Sequence, residues 1–144
     1  MTAKLFFRQV QQAEKELRIL NAKLRHFQDI GFSIGGTGGT IGSHSRGSSR
    51  VELAAVGAVD AFRELFDQQK AYLAIIARAE QVIRAIPQEK YRQILNYCYL
   101  CGWSLKSVSD ELGYRDQNSI YRAHGWALYE AQKVINRMEG DEQK

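Results

Sequence analysis

Apolar residues recur in steps of four and three from the start of the chain: Phe6, Val10, Ala13, Leu17, Leu20, Leu24 and Phe27. That is the a/d seam of a heptad repeat, with Glu14, Lys15, Glu16, Arg18, Lys23 and Arg25 on the other faces. The spacing predicts a helix over roughly 2–29, about 40 Å long at about 1.5 Å per residue. A helix of this kind is satisfied only against a partner. A second seam supplies one: Val51, Ala55, Ala58, Phe62, Leu65, Gln69, Tyr72, Ile76, Ala79, Ile83 and Ile86. Val59, Phe66 and Leu73 form another stripe beside it, so this apolar face is wider than one neighbour needs. Ser48 or Ser49 is the expected cap of this helix, with Glu52 in its first turn. The simplest arrangement is a long, coiled-coil-like antiparallel hairpin. Its surplus face is available to a homo-oligomer or to the carboxy-terminal domain.

Between the two seams lies "GFSIGGTGGTIGSHSRGSSR", residues 31–50. Gly, Ser and Thr leave it little to bury and much backbone entropy to lose, which predicts a flexible linker. A phosphate loop of Walker type needs Gly-Lys-Ser/Thr, and no Lys lies here. The dinucleotide pattern fails because Ile41 stands where its last Gly belongs. The alternative is a basic loop ordered by a ligand, through His44, Arg46 and Arg50.

Pro87 ends the second long helix and suits the first turn of the next. In "PQEKYRQILNYCYLCG" the inward residues are Tyr91, Ile94, Leu95, Cys98 and Tyr99, and Gly102 is the expected carboxy-terminal cap. Ser104 then caps a short helix, "LKSVSDEL", whose apolar face is Leu105, Val108 and Leu112. Gly113 stands where that helix must end with φ > 0. Small Ser109 permits a close crossing, Tyr114 plugs the turn, and Asp116 caps the following helix. Ile120, Ala123, Ala127, Leu128, Val134 and Ile135 line the buried side of that helix. This is helix-turn-helix grammar, in which the leading turns of the second helix enter the major groove. Gln117, Asn118, Ser119, Tyr121, Arg122 and Gly125 would face outward there. Asn and Gln can pair with adenine, Arg with guanine, and Ser or Tyr with phosphate.

Charge qualifies this picture. The net charge is +4, but residues 1–50 carry +5, residues 51–86 carry −1 and residues 87–144 are neutral. The basic excess therefore sits on the first helix and the Gly-rich segment. A DNA-binding carboxy-terminal half would ideally be basic itself. Cys98 and Cys101 form a lone CxxC; a structural zinc needs four ligands, so two small buried residues on one helix face are expected instead. No apolar run approaches the length of a membrane span, and the amino terminus lacks the features of a signal peptide. Neither catalytic residues nor a cofactor are expected, because no nucleophile–base grammar, carboxylate pair or metal spacing is present.

The segment "YRQILNYCYLCGWSLKSVSDELGYRDQNSIYRAHGWALYEAQ" resembles region 4 of sigma-70-type factors, and more closely phage late-gene transcriptional regulators of the ArpU/RinA type. The resemblance covers about the last third of the chain, and rests on "RQIL", "SLKSVSDELGY" and "SIYRAHGWAL". It implies an all-α protein with three parts. Residues 1–86 would be a helical hairpin for oligomerisation, with the linker at 31–50. Residues 87–138 would be a sigma region 4-like helix-turn-helix domain, and 139–144 a tail. It also implies a double-stranded DNA partner in the cytoplasm of a bacterial host, and RNA polymerase as a further candidate partner. Gln117, Asn118, Tyr121 and Arg122 would lie toward DNA, with Lys106 and Arg115 near the phosphate backbone. Two alternatives stay open: a protein like the small terminase subunit of phages, or a sigma-like module that docks on RNA polymerase without reading DNA.

Overall fold

The computed structural model describes the backbone of residues 1–36 and 45–144, and side chains outside 31–58. Every regular element among the described residues is helical. In order they are α1 (Ala3–Gly36), α2 (Ser45–Arg84), α3 (Glu89–Leu95) running into a π-turn (Asn96–Leu100), α4 (Leu105–Leu112) and α5 (Gln117–Glu142). The two heptad seams are helices, and both are longer than the pattern predicts. Helix α1 continues to Gly36 and α2 starts at Ser45, so Ser48 and Ser49 lie inside α2 rather than at its cap. Of the linker expected over 31–50, residues 31–36 and 45–50 are helical instead, as the ends of the two long helices; residues 37–44, all of His44 and the side chains of Ser48, Ser49, Arg46 and Arg50 lie outside the described residues. No described helix is long and apolar enough to cross a membrane.

The chain divides into two compact units, and α1 and α2 contribute to both. One unit spans residues 16–72. Within it Leu20 and Leu24 are buried, and the Phe27 and Phe62 rings meet edge-on with centroids 6.2 Å apart. Gln69 donates to Asn21 at 3.0 Å. Rising numbers on α1 thus face falling numbers on α2, the order of antiparallel helices.

The other unit joins residues 1–15 to residues 73–144. Its larger core combines Phe6, Phe7 and Val10 of α1, Val82, Ile83 and Ile86 at the end of α2, Leu95 of α3, and Ala127, Ala131, Val134 and Ile135 of α5. Ile86 and Leu95 share this core across Pro87. Residues 139–142, expected in a tail, continue α5, and Glu142 accepts from Arg78 of α2 at 2.8 Å. The amide of Ala3 donates to Gln132 of α5 at 2.6 Å.

Pro87 sits outside α3 rather than in its first turn, because Gln88 is the capping residue. Just past the end of α2, Arg92 donates to the carbonyls of Ile86 at 2.6 Å and of Pro87 at 2.8 Å. The π-turn closes with Cys101 donating to the Asn96 carbonyl at 2.9 Å. Its wider winding turns Cys101 away from Cys98: Cys98 is buried and Cys101 exposed. The CxxC pair therefore does not share a buried face, contrary to the sequence expectation. Burial pushes the Cys98 thiol up to about 11, so it is inert as a nucleophile near neutral pH.

Candidate nucleic-acid interface

A second, smaller core holds α3, α4 and α5 together: Ile94, Cys98, Val108 and Ile120, flanked by Leu105, Leu112 and Tyr114. Tyr91 and Tyr99 touch both cores. Local chemistry fixes the turn above it. Ser104 accepts from the Ser107 amide and starts α4. Gly113 stops α4 in the left-handed region, φ 78° and ψ 30°. The amides of Gly113 and Tyr114 both donate to the Ser109 carbonyl, at 2.9 and 3.0 Å, and Ser109 itself is buried at the crossing. Tyr114 packs half-buried against the smaller core. Asp116 then opens α5 by accepting from the Ser119 amide at 2.7 Å. That hydrogen bond, with the Ser119 hydroxyl and the Arg122 charge, holds the Asp116 carboxyl below its ordinary pKa. The carboxylate is therefore committed to the cap.

Gln117, Asn118, Tyr121 and Arg122 are all exposed. Their spacing spreads them over the outward side of the first two turns of α5, with Gln117 at the edge next to Ile120 and Arg122 opposite Ile120, Ala127 and Ala131. Ser119 differs from its expected place: it is half-buried, and its amide serves the cap. Lys106 is exposed in the first turn of α4, and Arg115 is exposed in the turn before Asp116. Neither is drawn to the α5 face by a hydrogen bond or ion pair.

The exposed face does not end at Arg122. Trp126 and Tyr129 follow on the same side, 57% and 54% exposed, with Lys133 and Arg137 beyond them. Steps of four, three, four and four from Arg122 give this stripe, and the quoted run "SIYRAHGWAL" already contains its first member. An aromatic at helical spacing is ordinarily core, which is why the sequence pattern alone passes over it. Between 117 and 137 no exposed residue of α5 is acidic. Glu130 is half-buried and pairs with Lys133 at 3.0 Å. The neutral balance of the carboxy-terminal half thus conceals a basic, aromatic outer face on α5.

Behind this face, the His124 ring accepts or donates a 2.8 Å hydrogen bond with the Tyr99 hydroxyl. Tyr99 in turn stacks on Phe7, with centroids 4.8 Å apart. Burial lowers the His124 pKa and pushes the Tyr99 hydroxyl up to about 12, so both are neutral near pH 7. They serve packing rather than proton transfer. No group of three or more His, Cys, Asp or Glu side chains among the described residues is placed to hold a metal ion. Comparison with protein-family models, curated proteins and solved structures found no match to the chain.

Proposed function

We propose that the chain is a sequence-specific, double-stranded-DNA-binding transcriptional regulator. In this reading α4 and α5 form a helix-turn-helix, and the leading turns of α5 enter the major groove. One observation carries it: a capped, outward face of α5 that offers Gln117, Asn118, Tyr121 and Arg122, where the one adjacent exposed carboxylate, Asp116, is engaged by the Ser119 amide as the helix cap. Those side chains match base edges and phosphates. Lys106 and Arg115, exposed on the preceding helix and turn, suit the flanking phosphates. The resemblance to sigma region 4 and to phage late-gene regulators points the same way, and implies a bacterial host cell.

The antiparallel contacts of α1 and α2 within residues 16–72 support a helical hairpin, and Val59 and Phe66 remain exposed on it. A homo-oligomer built on that face would set two reading helices on one DNA. Paired modules multiply weak affinities through effective concentration. This offsets the small basic surplus of a single α5.

The test is selection of binding sites from random duplex DNA with the full chain at near-physiological salt. A discrete motif is expected, composed of paired half-sites. Arg122→Ala should then weaken the selected site by about 1–3 kcal/mol relative to random DNA, if Arg122 reads a base. Enrichment of no motif, with only salt-sensitive bulk binding, would refute the reading and favour a module that docks on RNA polymerase.

A further inference from the structure

We infer that the outer face of α5 beyond Arg122 is a stacking site for an unpaired DNA strand, with Trp126 as its platform. The inference rests on the proposal that this helix faces DNA, and adds a second contact of different chemistry. The polar leading turn suits base edges in a duplex. The segment after it does not: it leads with two large exposed aromatic rings, Trp126 and Tyr129, ahead of Lys133 and Arg137. A duplex hides the faces of its bases, whereas an unpaired strand presents them. Base–aromatic stacking beside a positive track is how proteins hold single strands, and it tolerates any sequence because every base has a π-face.

The geometry suits one platform with a wall and a charge. The Trp126 and Tyr129 rings stand perpendicular, with centroids 5.7 Å apart. The Lys133 ammonium lies 4.8 Å from the centre of the Tyr129 ring, which keeps it close to the aromatic pair. That ammonium is shared with Glu130 and the Arg122 charge is felt by Asp116, so Arg137 carries the fuller charge for phosphates, with Arg122 and Lys133 adding to the positive track. Trp126 is more than half exposed, and the step from Trp126 to Arg137 spans about 16 Å at about 1.5 Å per residue. That is room for a few nucleotides.

Charge selects this occupant over a second copy of the chain. Two such faces brought together would set Arg122, Lys133 and Arg137 against the same three cations, offset only in part by Asp116 and Glu130. A polyphosphate strand is complementary along the whole length.

The experiment uses the full chain carrying Trp103→Phe, so that Trp126 is the sole fluorophore of its kind. Trp103 stacks on Tyr97 away from this stripe in sequence, and Phe retains a ring there. Titration with a short oligothymidylate should quench Trp126 saturably, and less strongly as salt rises. Binding of a labelled oligothymidylate, read by anisotropy in the otherwise native chain, should weaken about tenfold or more in Trp126→Ala. Trp126→Phe, which keeps a π-face, should bind within a few-fold of the native chain. Absence of quenching, or equal affinity in Trp126→Ala, overturns the inference. So does equal competition by polyglutamate, which would show a polyanion site without stacking. A Trp126 signal that changes with protein concentration alone would show the face covered by another copy, and also overturns it. The two readings fail separately. Loss of duplex selection with quenching retained removes the duplex reader only; duplex selection with no quenching removes the single-strand site only.

Discussion

Gly113→Ala and Gly125→Ala are chemically the same change, and the structure assigns them opposite signs. At Gly113 the backbone is left-handed, φ 78°. A Cβ placed there meets no atom within 4 Å, so the cost is conformational and not a clash. The left-handed region costs an L-residue about 1–2 kcal/mol. Part of this is offset, because Ala loses about 0.4–1 kcal/mol less than Gly in unfolded-chain entropy. The net expectation is a loss of about 1 kcal/mol. Gly125 sits inside α5, again with nothing within 4 Å of its added Cβ. There Ala is favoured by about 0.5–1 kcal/mol. The two variants should therefore differ by roughly 1.5–2 kcal/mol, more than a tenfold ratio in the unfolding equilibrium. Urea unfolding of the full chain reads this as opposite shifts of the midpoint at constant slope. Trp103 and Trp126 both lie in the unit of residues 1–15 and 73–144, so tryptophan fluorescence follows the relevant core. A neutral or stabilising Gly113→Ala would mean that α4 does not end in a left-handed residue, and the turn that aims α5 would be wrong. A destabilising Gly125→Ala would mean that another surface packs against this side of α5.

Two further expectations concern the core behind the interface. Phe7 is fully buried and stacks on Tyr99, so Phe7→Ala should cost about 3–5 kcal/mol by urea unfolding. A cost below about 1 kcal/mol would show that the first turns of α1 do not belong to the core. Burial lowers the His124 pKa in the folded state. The unfolded chain therefore takes up a proton first, and this contribution to stability is complete above the ordinary imidazole value of about 6.5 and lost progressively as pH falls from there through the lowered folded-state value. The melting temperature should fall between about pH 7 and about pH 5, and His124→Gln should flatten that fall. An unchanged slope in the variant would place the titration elsewhere.

Much of the turn that aims the candidate interface was legible in the sequence, because it is made of short-range chemistry. Ser104, Gly113 and Asp116 act on amides or backbone angles within a few residues of themselves, so their roles can be read from position alone. The polar leading face of α5 is legible for the same reason: helical spacing puts Gln117, Asn118, Tyr121 and Arg122 on one side wherever the helix lies. Its continuation through Trp126 and Tyr129 was not. At helical spacing an aromatic marks a buried stripe as readily as an exposed one, and only the packing of Ala127, Ala131 and Ile135 on the opposite side shows which it is. Cys101 follows a similar logic, since the π-turn that rotates it outward leaves no mark in the hydrophobic pattern.

The sequence by itself determined that the chain is all-helical, that two long helices form though not where they end, and the capped turn between α4 and α5. Those depend on periodicity and on contacts within one or two helical turns. Only the tertiary structure decided which apolar faces meet. The seam of α1 is nearly uniform in composition, and nothing in it marks Phe6, Phe7 and Val10 as partners of α5 while Leu20 and Leu24 belong to another unit. Burial of apolar surface is non-directional, so a stripe declares that it needs a partner without naming one. The choice falls to how the side-chain shapes fit once the helices pack, and long-range polar contacts such as Ala3 with Gln132 and Arg78 with Glu142 exist only in that packed arrangement.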